Sequence, residues 1–306
     1  MRSMRCRPIR PGRLLLLVGL AIGGVSLSTA LAGEEPELSF VERLGVPARP
    51  SAVRDLVAEV LDQAPDECRR AASALSRAGG SAAADGLRRL LGHSEISVRI
   101  SALDAAARLG IRLRGLTLQV RSCLESWNEG ERCAALRALG VVGDGSDVPA
   151  LLEALTLESA ESRLAACEAL RALGGPHLRP TPARWTHWWR AEQRTVAKVK
   201  ASVEALLADP EASCNRESIL RDGWTVLPMI EAALTEWFDQ GTVSQKLLAL
   251  RIVGRYRLAD FADAVRWEHR AGSAELAPEA RGAAAALGIH LDGEQDASRS
   301  SASPPE

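Results

Sequence analysis

The sequence predicts an all-α chain built from repeated helix pairs, and three observations carry that expectation. Stretches rich in Ala, Leu and Arg, all good helix formers, dominate the body, while only 4% of the 306 residues are aromatic, too few for a sheet-rich core. Several segments end alike: SVRISALDAAARLG at 97–110, ERCAALRALG at 131–140, ESRLAACEALRALG at 161–174 and VSQKLLALRIVG at 243–254. Each reads as a small-residue helix stopped by glycine, which adopts the left-handed conformation that closes a helix. With Gly80, Gly223 and Gly288 added, the stops fall at 80, 110, 140, 174, 223, 254 and 288, in steps of 30, 30, 34, 49, 31 and 34 residues. A step of about 30 residues holds two three-turn helices and two short turns. A helix pair of that size cannot bury its apolar stripe alone, whereas a stack of them can. The expected fold is a right-handed α-solenoid of about seven antiparallel helix pairs, one of them expanded.

Residues 1–32 stand apart from that body. Arg2, Arg5, Arg7, Arg10 and Arg13 form a cationic opening, Leu14 to Leu31 carries no charge, and Ala30-Leu31-Ala32 offers small residues where a signal peptidase reads. This is the layout of a secretory signal peptide. The alternative is an inner-membrane anchor formed by residues 14–31, at the short end of what spans a bilayer. Cleavage removes five arginines and no acid, leaving 33 basic against 39 acidic residues, a net charge of -6. An exported, mildly acidic chain is not expected to bind nucleic acid, and its destination is the periplasm or the medium.

Residues 33–50, with Pro36, Pro47 and Pro50, read as a linker before a solenoid over 51–290. Within it SAVRDLVAEVLDQ (51–63) and AAADGLRRLL (82–91) carry apolar residues at helical spacing, such as Leu87, Leu90 and Leu91. VPALLEAL at 148–155 recurs as LPMIEAAL at 227–234, each with Pro in the first turn. VVGDGSD (141–147) reads as an inter-repeat turn with Ser146 or Asp147 as N-cap. Residues 175–223 are the irregular, expanded repeat. There Thr181 is the expected N-cap and Pro182 the first residue of a helix of some 25 residues, with Trp185, Trp188, Trp189, Val196, Val199, Val203 and Leu206 along one stripe. A short partner helix is expected within 211–222. The polar, Ser/Pro-rich tail 291–306 has the composition of a disordered segment.

The repeating units resemble HEAT repeats, especially the short bacterial kind related to phycobilisome-lyase HEAT-like repeats. SVRISALDAAARLG matches best, with its Val-Arg pair, small residues and closing Leu-Gly. Arg69, Arg99 and Arg163 each fall 11 residues before a stop glycine. In HEAT proteins that arginine often joins an acid of a neighbouring repeat in a ladder. Here Gln63, His93 and Leu157 stand six residues earlier, with no Asp among them. The resemblance implies a superhelical protein-binding scaffold or adaptor. It implies as the alternative an enzyme subunit related to bilin lyases, work not expected of an exported chain.

Few residues suggest chemistry. The five histidines are scattered and match no metal spacing, and no nucleophile elbow, phosphate loop or dinucleotide fingerprint occurs. No catalytic residue, cofactor or metal is therefore expected, and the partner is a protein. Two groups remain as candidates. Trp185, Trp188 and Trp189 are either an anchor for that partner or the core stripe of the long helix. Cys123 and Cys133, five residues either side of Asn128, are either a disulfide or small buried hydrophobes.

Overall fold

A computed structural model describes residues 50–179, 181–209, 212, 215–271, 273–289 and 291. The signal peptide, the linker up to residue 49, Cys214, His290 and the tail from 292 onwards lie outside the described residues. The described chain is all-helical, with no strand among the described residues. The helices run in the order α1 (Pro50–Leu61), α2 (Pro65–Ala78), α3 (Gly80–Leu90), α4 (Ile96–Leu109), α5 (Arg114–Ser122), α6 (Glu129–Val142), α7 (Val148–Ala154), α8 (Ala160–Ala172), α9 (Pro182–Ala208), α10 (Arg216–Asp222), α11 (Leu227–Gln240), α12 (Val243–Tyr256), α13 (Ala262–Ala271) and α14 (Ala277–Leu287). Short 3-10 turns occupy Cys123–Glu125, Gly145–Asp147, Gly223–Val226 and Ala259–Phe261.

Even-numbered helices pack on one another in order: α2 on α4, α4 on α6, α6 on α8, then α10 on α12 and α12 on α14. Odd-numbered helices line up outside them, α1 beside α3, α3 beside α5, α7 beside α9 and α9 beside α11. Small residues make the seam narrow. A Cβ on Gly140 would stand 2.6 Å from the Cα of Ala169, and one on Gly254 3.2 Å from the Cα of Ala283. Gly140 and Gly254 are thus not the helix stops that their spacing suggests. They lie inside α6 and α12 and let neighbouring backbones approach. The stops are Gly143 and Arg257, three residues further on. Gly110 and Gly288 do end their helices in the left-handed region, both at φ 63°.

The corrected stops expose a register mark. Arg99, Arg132 and Arg163 each sit 11 residues before a terminating glycine (110, 143, 174). Each donates Nη1–H to the carbonyl six residues earlier: His93 at 2.9 Å, Ser126 at 2.7 Å and Leu157 at 2.8 Å. At these three the residue type six positions back is immaterial, because the arginine reads backbone oxygen; Arg69 instead meets the Asp66 carboxylate and the Ser97 hydroxyl. One rung also reaches an acid: Arg99 forks onto Glu131 of α6 at 2.6 and 2.9 Å. That contact, with a hydrogen bond from the Ser126 hydroxyl, holds the Glu131 carboxyl below the ordinary carboxylate range despite its burial.

The C-terminal helices do more than extend the row. Arg112, just after α4, forms a parallel bridge with Leu258, just after α12: its N–H donates to Arg257 at 2.9 Å and its carbonyl accepts from Ala259 at 2.7 Å. The Arg112 side chain donates to the Gly143 carbonyl at 3.1 Å and the Tyr256 carbonyl at 2.9 Å, tying the ends of α4, α6 and α12 together. Arg257, the one non-glycine residue with positive φ (55°) among the described residues, donates Nε–H to the Ala286 carbonyl at 3.0 Å. A Cβ on Gly80, at the start of α3, would stand 3.0 Å from the carbonyl oxygen of Gly288, at the end of α14. In a one-dimensional stack each unit touches only its neighbours. Here units some 145 residues apart share backbone hydrogen bonds.

Candidate functional site

A cleft of about 540 Å³ opens beside that junction. Its walls are α5, the turn from Val142 to Asp144, the first turns of α11 and the turn at Asp260-Phe261. Leu118, half-exposed at 53%, Val142, Leu227 and Phe261 give it apolar surface. Arg112, Arg114, Arg121, Asp144, Glu231 and Asp260 give it charge.

Local sequence fixes most of those charged groups. The turn after α6 is held by Asp144, whose carboxylate accepts from the Ser146 N–H at 2.7 Å while Asp147 accepts from the Asp144 N–H at 2.9 Å. Asp147 is the N-cap residue of α7, one of the two positions expected from the sequence, though its side chain makes no capping bond to that helix; the 3-10 turn before it is closed by Asp144 in a reciprocal capping box. Both carboxylates then take Arg121: its Nε–H donates to Asp147 at 2.6 Å and its Nη2–H to Asp144 at 2.9 Å. The hydrogen bond to Asp147 raises the Arg121 pKa against its burial. Arg112 is spent on the backbone carbonyls described above, and burial lowers its pKa. The Arg114 guanidinium is exposed, while its backbone N–H donates to Asp260 Oδ2 at 2.7 Å.

Glu231 differs from its neighbours. It lies half-buried on α11, and among the described residues no donor reaches its carboxylate. Burial raises its pKa first, and the negative charges of Asp260 and Asp144 raise it further, against the opposing pull of Arg114 and Arg121. Chemically the cleft offers open carboxylate oxygens over an apolar wall.

The tryptophans are placed elsewhere. Trp185 is fully buried, with Nε1–H donating to the Arg179 carbonyl at 3.0 Å. Trp188 and Trp189 are partly buried against the same core as α6, α7 and α8. The rings form a chain, Trp185 to Trp188 at 5.5 Å, Trp188 to Trp189 at 5.7 Å and Trp189 to Trp224 at 6.3 Å. This is the interior stripe of the long helix, joined to the turn before α11. The exposed tryptophans are Trp127 at 81% and Trp267 at 66%.

Cys123 and Cys133 are not brought together. Both are buried free thiols. Cys123 belongs to the core shared with α4 and α5, beside Glu131 and Arg99, and burial pushes its thiol up to about 11. Cys133 points the other way, to Ser162 Oγ of α8 at 3.5 Å. Cys123, in the 3-10 turn before α6, packs into one hydrophobic core and Cys133, on α6, into another, so of the two readings the small buried hydrophobe is the one seen. Ligand atoms of Glu129, Cys133 and Glu161 lie within 4.8 Å of one another. Both glutamates stand in first turns of helices, where the helix dipole already favours their negative charge and disfavours a cation.

Sequence reading missed the cleft. Its parts come from separate segments, α5 and α11 lying more than 100 residues apart, and the signal that exists, the acidic pair in VVGDGSD, reads locally as turn chemistry. Among the described residues no helix is long and apolar enough to cross a membrane. No family model matches the sequence, and no curated protein matches it. Among solved structures, two engineered proteins from a structural-genomics consortium are similar at a TM-score of 0.27 (16% identity, 83% of this chain, 97% of that one) and 0.26 (15% identity, 81% and 96%).

Proposed function

We propose that the chain is an exported HEAT-like α-solenoid of seven helix pairs, α1–α2 through α13–α14, that serves as a non-catalytic protein-binding scaffold. The pair α9–α10 is the expanded one, and the superhelix is right-handed. Support for the repeat comes from the serial packing of even-numbered helices and from the arginine that recurs at 99, 132 and 163 with the same carbonyl contact. Support for binding comes from one observation above the rest. The cleft joins side chains of distant units into one surface of apolar wall and unfilled carboxylate, the composition of a recognition site with its water-facing acceptors still open. The partner is a protein, docked on α5 and α11, and residues 1–32 direct the chain out of the cytoplasm.

The test is photocrosslinking in the producing cell with a benzophenone side chain placed at Leu118, in the cleft, or at Leu164, equally exposed on α8. A discrete protein adduct from position 118 and none from 164, on a chain whose N-terminus begins at Gly33, is the expected result. Equal adducts from both positions, or none from 118, would refute the docking surface. A chain retained in the cytoplasm with residue 1 intact would refute export.

A further inference from the structure

Helix α9 is the longest among the described residues, 27 residues or about 40 Å. It carries five basic residues and two acidic ones, a net charge of +3 in a chain whose formal charge is -1. The helical repeat sorts these charges. Trp185, Val199, Val203 and Leu206 are buried and define the core side. With about 3.6 residues per turn, His187, Arg190, Arg194 and Lys198 fall within roughly 80° of arc on the opposite side, along about 16 Å of axis. All four are exposed, as are Ala191, Ala197 and Ala201 among and beyond them. Both acids of α9 lie off that arc. Glu192 is half-buried on the core side, and Glu204 pairs with Lys200 at 3.8 Å. Among the described residues no carboxylate pairs with Arg190, Arg194 or Lys198. A solvated surface ordinarily mixes both signs, and nearby helices are acidic on their exposed sides, with Glu161 and Glu168 on α8 and Glu236 and Asp239 on α11. The file on α9 has one sign only.

We infer that this face seats the chain on an anionic lipid surface. The guanidinium groups of Arg190 and Arg194 and the ammonium of Lys198 meet headgroup phosphates, while the core side of α9 stays packed on α7, α10 and α11. A protein partner draws its affinity from aromatic or apolar anchors seated in pockets, and the small residues among these cations are alanines. A lipid surface needs no pocket, since each cation near it adds its own attraction, and lipids diffuse laterally to meet a straight file. Nucleic acid fits less well. The chain outside α9 carries net negative charge, which a polyanion that wraps its partner would meet. Against a flat surface, screening confines the interaction to charges within about 8 Å.

The experiment is co-sedimentation of the chain, purified from the producing cell, with vesicles of phosphatidylcholine alone or of phosphatidylcholine and phosphatidylglycerol in equal parts. The chain should sediment with the anionic vesicles and not with the neutral ones, and salt at about 0.5 M should release it. The triple variant Arg190→Gln, Arg194→Gln, Lys198→Gln should bind the anionic vesicles about a hundredfold more weakly, with an unchanged helical circular dichroism spectrum because its side chains face solvent. Arg190→Lys with Arg194→Lys keeps the charge and should keep the affinity. So should Arg54→Gln, Arg77→Gln, Arg108→Gln, which removes three exposed cations from α1, α2 and α4 and changes the net charge equally. No sedimentation with the anionic vesicles, equal sedimentation with both kinds, or parent-like affinity in the first triple variant would overturn the inference. Binding of the parent, lost in that variant, to oligoglutamate or single-stranded RNA but not to vesicles would also overturn it, and would give the face to an acidic macromolecule.

Discussion

The helices from α2 to α8 and those from α10 to α14 share one unit and are fastened in two ways. In the first group each unit is fixed by its neighbours: small residues at the seam, and Arg99, Arg132 and Arg163 locking the turn that precedes their own helix. In α12 of the second group the same position, fourth residue of its helix, is Lys246, which pairs with Glu268 at 2.6 Å. Where α4 stops at Gly110, α12 stops at Arg257, in the same left-handed conformation that glycine takes without strain. The difference buys reach. Arg257 extends its side chain to Ala286 and lends its carbonyl to Arg112, so the second group grips the first across about 145 residues of chain. A repeat can therefore be edited at its helix ends from a stacking unit into a clasp without altering its interior.

Substitutions at matched positions sharpen that contrast, the largest effect coming from the seam. Gly140→Val should destabilise the chain by about 3 kcal/mol or more, since its Cβ collides with backbone of α8 and no side chain can move aside. Urea unfolding measures it, and a loss under about 1 kcal/mol would mean that α6 and α8 are not in van der Waals contact. At the clasp, Arg112→Met should cost about 2 kcal/mol, because the Gly143 and Tyr256 carbonyls lose their donor. It should also broaden the unfolding transition as the two groups begin to melt separately. If the transition stays as sharp as in the parent, the clasp is not what couples them.

Within the first group, Glu131→Gln should cost about 2 kcal/mol at neutral pH, because it leaves Arg99 facing a neutral amide at a nearly buried site. The folded carboxyl titrates below its ordinary value, so its stabilisation is complete above the unfolded pKa near 4.5 and disappears as pH falls through the folded value. The gap between parent and variant should accordingly close in acid, which thermal unfolding across pH 3 to 7 would follow. Gly282→Ala brings the smallest change and the opposite sign. Nothing lies within 4 Å of a Cβ there, in the middle of α14, so the variant should be more stable by about 0.5–1 kcal/mol. Destabilisation would place that face of α14 against an unseen neighbour.

Much of this was legible in the sequence, and what was not has a physical cause. Helix periodicity and Pro182 located α9, while the tryptophan stripe at i, i+3 and i+4 fitted either an anchor or a core stripe; in the structure Trp185 is buried and Trp188 and Trp189 are partly buried. Thr181 precedes that helix in extended backbone, yet its side chain makes no capping hydrogen bond. Glycine marked Gly110 and Gly288 rightly and Gly140 and Gly254 wrongly, because glycine serves both to end a helix and to let two helices touch, and a single sequence does not separate those uses. The arginine rungs looked broken because side chains were sought where backbone oxygen does the work. The bridge between Arg112 and Leu258, and with it the cleft, has no local pattern at all. Its bonds are between main-chain atoms, and its charged residues are ordinary ones in their own segments.

Native-state hydrogen exchange at two amides tests the clasp most directly. The N–H groups of Arg112 and Ala259, which carry the bridge, should exchange only with global unfolding, at the same free energy as the amides in the middle of α4 and α12. If both exchange several kcal/mol more readily while the helix interiors stay protected, the two groups of helices are not held together there, and the chain is an open stack whose ends move independently.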